Sequence, residues 1–146
     1  MISVKLTTDC QLIKDTLSPY YDSLVYDGCP SLEDFNPDLN SLWFLLYKAD
    51  QVCGVIKLDY LNFALWVCHV VIHEGYRGKG SEQWGILVSE EMKNMGATKL
   101  LAITPTEPAK RYAERVGFKY VAKLTNSIKK NGHILDQHLL ELNLCR

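Results

Sequence analysis

The sequence predicts an α/β (α+β) domain whose central sheet is mixed and mostly antiparallel, with helices on both faces. Segments with strand-like and helix-like periodicity follow the order β, α, α, β, β, β, α, β, α, β, β. Three successive strands in the middle of the chain, followed by strands that alternate with helices, together favour a mixed sheet. Because 146 residues with 47% hydrophobic side chains suffice for one core, we expect a single domain spanning residues 1–146.

The N-terminal segment predicts one strand and two helical pieces before a long loop. Residues 1–6 alternate between apolar and polar side chains, as a half-buried strand does. Thr8 or Asp9 can cap the following helix, and Pro19 interrupts that helix before a second helical piece. Residues 27–40 are rich in turn formers and are expected to be irregular.

From residue 41 onward the pattern predicts six strands and two helices. Residues 41–72 form three strands, with turns at residues 49–51 and near Leu61–Asn62. A helix over residues 81–96 follows, and Gly96 is its stop. Its apolar face consists of Trp84, Leu87, Val88, Met92 and Met95. The remaining elements are a short buried strand at 99–104, a helix at 107–118 and a closing hairpin at 119–144 with its turn at Asn131–Gly132.

The bulk composition argues against several classes of protein. A formal net charge of −1 gives no basic field, so a nucleic-acid partner is not expected. No window approaches the roughly 18 apolar residues of a membrane span. The N-terminal residues also lack the apolar run of a signal peptide, so we expect a cytoplasmic protein without membrane contact. The five cysteines are scattered without a C-x-x-C pair, which argues against a disulfide framework and a metal site and for a reducing compartment.

A glycine-rich turn stands between a strand-like and a helix-like segment in the sequence VVIHEGYRGKGSE. A helix N-terminus offers unpaired N–H groups and the positive end of a dipole, which suit a pyrophosphate. Gly78 and Gly80 would let the backbone approach such a group closely, while Arg77 and Lys79 add positive charge beside it. The segment therefore predicts a site for an anionic cofactor. A tight turn that merely needs glycines is the alternative.

This turn, the segment EPAKRYAERVGF and the order of elements together resemble the Gcn5-related N-acetyltransferase (GNAT) superfamily. Arg77 to Gly80 fit the opening four positions of the family's Q/R-x-x-G-x-G/A motif, and Gly117–Phe118 fit the pair that ends the family's short helix. The resemblance implies an acetyl-CoA-dependent N-acetyltransferase that acetylates an amine of a small molecule or protein. It also implies coenzyme A contacts at Val70, Ile72, Arg77, Gly78, Lys79, Gly80 and Ser81.

Three positions depart from the family's pattern. Glu82 occupies the last Gly/Ala position of the turn motif, where its carboxylate suits a helix N-terminus but would compete with a pyrophosphate. The tyrosine that many members use as general acid toward the leaving thiolate corresponds to Ala113. Its neighbour Tyr112, about 100° away around the helix, is the candidate acid here, with a packing role as the alternative. Thr106 replaces the asparagine common at the head of this helix.

Acetyl transfer to an amine requires a base that deprotonates the ammonium. The family's base positions fall at Trp66 or Cys68, and neither side chain is a good base. His69 is the catalytic candidate, although strand alternation directs it away from those two side chains unless a bulge intervenes. A hydrogen-bonded core histidine is the alternative interpretation.

The resemblance implies an acceptor site near the second helical piece, whose floor could consist of Asp22, Tyr26, Asp27 and the loop to Asp38. The acidic side chains of this loop would suit a cationic acceptor, with a solvated loop as the alternative. These side chains are Asp27, Glu33, Asp34 and Asp38. His133 and His138, five apart in a predicted strand, face opposite sides and are not expected to bind a metal.

A second hypothesis is a GNAT-fold protein that no longer transfers acetyl groups and serves in interaction or assembly, as a homodimer or with a protein partner. The segment CHVVIHEGYRGKGSE resembles, more faintly, short GNAT-like proteins of tailed bacteriophages. The shared features are a histidine in the strand, an Arg-Gly turn and an acidic residue where the loop glycine belongs. On this hypothesis Glu82 obstructs the pyrophosphate site of a phage-encoded protein.

Overall fold

The computed structural model describes residues 1–62 and 64–145, and its centre is a seven-stranded sheet. The strands are β1 (Ile2–Thr7), β2 (Leu42–Lys48), β3 (Gln51–Asn62), β4 (Leu65–Ile72), β5 (Lys99–Thr104), β6 (Lys119–Lys130) and β7 (His133–Asn143). The helices are α1 (Cys10–Leu17), α2 (Tyr21–Leu24), α3 (Glu82–Asn94) and α4 (Glu107–Val116), and 3₁₀ turns lie at Ser18–Tyr20 and Glu74–Tyr76. The predicted order of strands and helices is confirmed.

The sheet is mixed and mostly antiparallel, as predicted. Its strands lie in the order β1-β2-β3-β4-β5-β7-β6. β4 and β5 run parallel, whereas the other neighbouring strands pair antiparallel. The turn after β2 lies at Ala49–Asp50, as expected. A turn was expected near Leu61–Asn62; these two residues end β3, β4 begins at Leu65, and Phe63 lies outside the described residues.

Local sequence sets the ends of the helices. Asp9 caps α1, because its side chain accepts a hydrogen bond from the backbone N–H of Leu12 at 3.0 Å. Pro19 lies in the 3₁₀ turn that follows, where its missing N–H is tolerated. Thr106 caps α4 in the same way as Asp9 caps α1, and Gly117 ends that helix with a φ of 121°.

Apolar side chains fill both faces of the sheet. On the face covered by α1, Ile13 and Leu17 pack with Trp43, Leu45, Val55 and Val71. On the face covered by α3 and α4, Trp84, Val88 and Met92 pack with Phe44, Leu46, Ile56 and Leu100. We call these the α1 face and the α3/α4 face. Met95 was predicted for the apolar side of α3 but is 54% exposed, because the helix ends at Asn94.

The parallel ladder between β4 and β5 is short. It ends at the pair Cys68–Ala102, whereas β4 continues to Ile72. On its other side β4 keeps its antiparallel partners on β3 as far as the pair Gly54–Ile72. Beyond Cys68 the strands β4 and β5 therefore diverge, and a fork opens in the middle of the sheet.

Within residues 1–62 and 64–145, no helix has the length and apolarity to cross a membrane. The same residues hold no group of three or more His, Cys, Asp or Glu side chains that could bind a metal ion. His138 on β7 instead pairs with Glu107 of α4, with Nε2 3.0 Å from a carboxylate oxygen. This contact joins α4 to the sheet.

Candidate active site

A cavity of about 930 Å³ opens at the fork between β4 and β5. Its walls include Leu17 and Trp43 from the α1 face, and Val88 and Leu100 from the α3/α4 face. The cavity therefore passes through the sheet and connects its two faces. A volume of this size is typical of small-molecule and cofactor sites.

His69 lies where the two strands diverge, one residue after the last parallel pair of β4. The register against β3 is continuous from Tyr60–Trp66 to Gly54–Ile72, so strand alternation places His69 on the α1 face, away from the side chains of Trp66 and Cys68. Its Nε2 lies 3.1 Å from Oδ2 of Asp59 on β3, and its side chain is 51% exposed. His69 thus has an accessible imidazole on the cavity wall, and the Asp59 carboxylate holds this imidazole in place.

Asp59 is a site residue that the sequence analysis missed. Its Oδ1 accepts a hydrogen bond from Ser41 Oγ at 2.5 Å and lies 3.2 Å from Nζ of Lys57. Burial by itself would raise the pKa of Asp59, but hydrogen bonds from His69 and Ser41, with the Lys57 ammonium, hold that pKa well below its usual range. Asp59 is therefore ionised at neutral pH and can orient the imidazole. Counting the β3–β4 register would have found it, because Asp59 stands diagonal to His69.

The two base positions that the resemblance implies lie on the opposite face from His69. Cys68 and Trp66 pack with the core of the α3/α4 face. Burial raises the pKa of the Cys68 thiol to about 12. This thiol therefore stays protonated and is a poor nucleophile.

Val70 and Ile72 direct their backbone groups to the open side of β4. The N–H of His73 donates to the carbonyl of Cys53 on β3, so the backbone of His73 points toward β3. Backbone direction alternates along a strand, and the N–H and C=O groups of Ile72 and Val70 therefore point the other way, toward β5. The parallel ladder has already ended at this point. The Ile72 carbonyl accepts a hydrogen bond from Arg77 Nε at 2.7 Å, so the backbone of Val70 is the edge that borders the fork.

Residues Arg77 to Ser81 form the turn between β4 and α3, which we call the cradle. Gly78 and Gly80 have φ angles of 101° and 94°, and a Cβ at either position would meet no atom within 4 Å. The glycines are needed for this backbone conformation and leave open space above it. Ser81 Oγ donates to the Gly78 carbonyl at 2.6 Å, which braces the turn, and Lys79 is exposed.

Glu82, the first residue of α3, folds its side chain back over the cradle. Its Oε2 accepts a hydrogen bond from the N–H of Gly80 at 2.9 Å and lies 3.8 Å from Nε of Arg115 on α4. The side chain is only 20% exposed. This carboxylate is an oxyanion bound by a backbone N–H of the kind that holds a phosphate oxygen. The cradle thus fits an anion, but one of its donors is already engaged by the protein itself.

Tyr112 lies where α4 crosses the start of α3, next to the buried Ala113. Its hydroxyl donates a hydrogen bond to the Ser81 carbonyl at 3.1 Å, and its ring borders the cavity. Burial raises the pKa of Tyr112 well above its usual range. Tyr112 is therefore protonated at neutral pH and positioned beside the cradle.

The 3₁₀ turn after α1 is tied to the segment that precedes the cradle. The Tyr20 hydroxyl accepts a hydrogen bond from the N–H of Glu74 at 2.7 Å, and the Arg77 guanidinium lies 5.2 Å from the Tyr20 ring centre. His73 Nε2 donates to the Thr16 carbonyl at 2.9 Å, so this side chain is anchored to α1. These contacts join the α1 face of the cavity to its cradle end.

In the part of the chain that the structure describes, the four acidic side chains of the loop at 27–40 do not line the cavity. The Asp27 carboxylate accepts hydrogen bonds from the backbone N–H groups of Asn131 and Gly132, at 2.8 and 3.0 Å. It therefore braces the turn of the β6–β7 hairpin. The other three are exposed, which agrees with the solvated-loop alternative and not with a floor for a cationic acceptor; they are Glu33, Asp34 and Asp38.

The model of the acetyltransferase (GNAT) family matches residues 10–118, more than half of the chain. This chain belongs to the GNAT family. The resemblance carried by the cradle and by the segment ending at Gly117–Phe118 is thereby confirmed at the level of the superfamily. No curated protein matches this GNAT chain in sequence.

Solved structures share the fold over nearly the whole chain. An N-acetyltransferase from Staphylococcus aureus Mu50 is 17% identical, with 99% of each chain covered and a TM-score of 0.75. A spermidine N-acetyltransferase chimera from Vibrio cholerae and hSSAT is 15% identical, with 98% of this chain and 95% of that chain covered and a TM-score of 0.79. The Salmonella typhimurium protein YncA, assigned as an acetyltransferase and solved with its cofactor acetyl-CoA, is 18% identical, with 100% and 95% covered and a TM-score of 0.75. At these identities the likeness establishes the fold of the GNAT chain.

Proposed function

We propose that this GNAT protein is an acetyl-CoA-dependent N-acetyltransferase that acetylates an amine of a small molecule or a protein. The observation that carries the proposal is the pair that His69, on the wall of the cavity at the fork, forms with Asp59. Arg77, Gly78 and Ser81, from the anion-binding cradle, line the same cavity. A base and an anion site therefore share one cavity, which is the arrangement that acetyl transfer from an anionic cofactor requires.

The cradle and β4 would hold the cofactor. Backbone N–H groups of the cradle, with the charges of Arg77 and Lys79, would bind the pyrophosphate. The backbone of Val70, at the edge of the fork, would accompany the pantetheine arm, with Ile72 next to it. When bound, acetyl-CoA supplies the thioester whose acetyl group is transferred.

His69 would serve as the base. The Asp59 carboxylate accepts a hydrogen bond from the Nε2–H of His69, which leaves Nδ1 to take a proton from the acceptor ammonium, directly or through a water molecule. Tyr112 would serve as the acid, because its retained proton lies beside the cradle. For this role its hydroxyl must turn from the Ser81 carbonyl toward the departing sulfur.

Titration calorimetry with acetyl-CoA and a thiol-release assay with a panel of primary amines test the proposal. We expect His69→Gln to lower kcat by about 100-fold without changing the dissociation constant for acetyl-CoA, because a general base contributes to the chemical step alone. Tyr112→Phe should lower kcat with a similar signature if Tyr112 is the acid. A purely structural Tyr112 would lower only the unfolding free energy. If millimolar acetyl-CoA gives no heat of binding and does not change the melting temperature, the proposal is wrong.

A GNAT-fold interaction protein without catalysis is the second candidate, and one observation favours it. The Glu82 carboxylate already occupies the N–H of Gly80. Such a protein, which the faint phage resemblance would make phage-encoded, would act as a homodimer or with an assembly partner. Failure of the wild type to bind acetyl-CoA, with binding restored by Glu82→Gly, would support this candidate over the enzyme.

We also propose a single domain that works in the cytoplasm. One sheet includes strands from both ends of the described chain. The five cysteines are free thiols, which suits a reducing compartment; they are Cys10, Cys29, Cys53, Cys68 and Cys145.

A further inference from the structure

We infer that the acceptor is an amine that also carries a carboxylate, and that Lys130 binds this carboxylate. The inference rests on the proposed acetyl transfer and names its acceptor class. It begins from the charge of the cavity wall. Within the described residues, that wall has no Asp or Glu side chain, and its cationic side chains are Lys57, Arg77, Arg111, Arg115 and Lys130. A positive wall favours an anionic ligand and disfavours a polyamine.

Most of these basic groups already have another role. Lys57 lies 3.2 Å from the Asp59 carboxylate, and Arg115 lies 3.8 Å from that of Glu82. Arg77 belongs to the cradle, and Arg111 lies on α4. In the described part of the chain, no carboxylate lies within salt-bridge distance of Lys130. Outside the cradle, Lys130 is therefore a cation of the α1-face side without a carboxylate partner among the described residues.

The position of Lys130 is fixed by α2 and by the loop that follows it. Its Nζ donates to the Ser23 carbonyl at 2.5 Å and lies 5.5 Å from the ring centre of Tyr26. The backbone N–H of Asp27 donates to the Lys129 carbonyl at 3.0 Å, which holds the hairpin against the loop. An ammonium has three donors, so after Ser23 is satisfied two remain for a carboxylate. Lys130 is half-buried, which strengthens its attraction for an anion.

The wall around Lys130 also indicates the shape of the acceptor. Aromatic side chains border the cavity on this side; they are Tyr20, Tyr21, Tyr26, Phe35 and Trp43. His69 lies on the same face of the sheet. A ligand with an amine near His69, an apolar body along these rings and a carboxylate at Lys130 satisfies each part of the wall.

Three amines of equal chain length test the inference: γ-aminobutyrate, its uncharged amide and putrescine. Amide NMR titrations of the full chain measure binding whether or not turnover occurs. We expect γ-aminobutyrate to bind about tenfold more tightly than its amide, because only its carboxylate can pair with the partly screened Lys130 ammonium. Putrescine should bind most weakly, because its second ammonium would be repelled by Lys130. Lys130→Met should abolish this ranking and Lys130→Arg should retain it. Lys129→Met is the matched control, because the neighbouring Lys129 is exposed and does not line the cavity, and it should leave the ranking unchanged.

Equal or tighter binding of putrescine would overturn the inference, as would failure of all three amines to bind. An unchanged ranking in a folded Lys130→Met protein would overturn the role of Lys130. If Lys130→Met does not fold, the inference is tested by the order of affinities in the wild type and by whether Lys130→Arg keeps that order. Binding of γ-aminobutyrate without any binding of acetyl-CoA would overturn the proposed function alone. Acetyl transfer with the opposite charge preference would overturn only the acceptor class.

Discussion

Replacing Glu82 with alanine should tighten the binding of acetyl-CoA. In the wild type the carboxylate accepts the Gly80 N–H at 2.9 Å, so a pyrophosphate must displace it or bind beside it. Two like charges about 4 Å apart repel by roughly 1 kcal/mol in water and about 4 kcal/mol at an effective dielectric of 20. Because the Glu82 side chain is 20% exposed, we take an intermediate value of about 2 kcal/mol. That corresponds to a dissociation constant about 30-fold lower in Glu82→Ala, measured by titration calorimetry.

The same substitution should weaken the fold. It removes a charged hydrogen-bond acceptor and a negative charge at the N-terminus of α3, and water replaces only part of both effects. We expect the unfolding free energy in urea to fall by about 1 kcal/mol. Glu82→Gln should show part of the gain in affinity for acetyl-CoA. Glu74 is an exposed carboxylate before the cradle, and Glu74→Gln should change neither the dissociation constant for acetyl-CoA nor the unfolding free energy. Unchanged or weaker acetyl-CoA binding by a folded Glu82→Ala protein would refute competition by the carboxylate.

Two further predictions concern the sheet and the contact between α3 and α4. The pKa of Asp59 lies below its ordinary 3.8, so the ionised side chain stabilises the fold above about pH 4, and that contribution is lost as the pH falls through the folded pKa. Asp59→Asn should lower the unfolding free energy by about 1 kcal/mol at neutral pH, a small value because the side chain is 34% exposed and solvent screens it. The unfolding free energy of this variant should also fall less steeply with decreasing pH than that of the wild type. Equal slopes for the two proteins would contradict the prediction. A Cβ on Gly85 would lie 2.6 Å from Cγ2 of Val116, so Gly85→Ala should destabilise by about 1–3 kcal/mol in urea. Adding Val116→Ala to Gly85→Ala should relieve most of the clash. If the losses of unfolding free energy of the two single variants simply add in the double variant, there is no clash between these two side chains.

Period-two alternation and the order of elements were enough to predict the fold and the face of His69. Alternation separates His69 from Cys68 on any regular strand, and β4 is regular over these residues. The cap at Asp9 and the stop at Gly117 follow from local chemistry, so they too were accessible from the sequence. These features depend on residues close together in the chain.

Features that depend on distant residues or on a choice of rotamer were not accessible. Asp59 reaches His69 only through the register of a hairpin. The presence of Glu82 was evident, but not that its side chain folds back onto Gly80. Asp27 looked available for an acceptor because its partners, Asn131 and Gly132, lie more than a hundred residues away. Acidic side chains in a loop gave no indication of which backbone groups they would meet.

The fork between β4 and β5 also divides the backbone hydrogen bonds of the sheet into two blocks. One block, β1 to β4, meets the other, β5 with β7 and β6, along a parallel ladder that runs only from Leu65–Lys99 to Cys68–Ala102. Separation along this seam breaks far fewer backbone hydrogen bonds than global unfolding, so amides of the two blocks should exchange with solvent as separate cooperative units. A ligand that bonds to the free edge of β4 while touching β5 would bridge the seam and merge the two units into one.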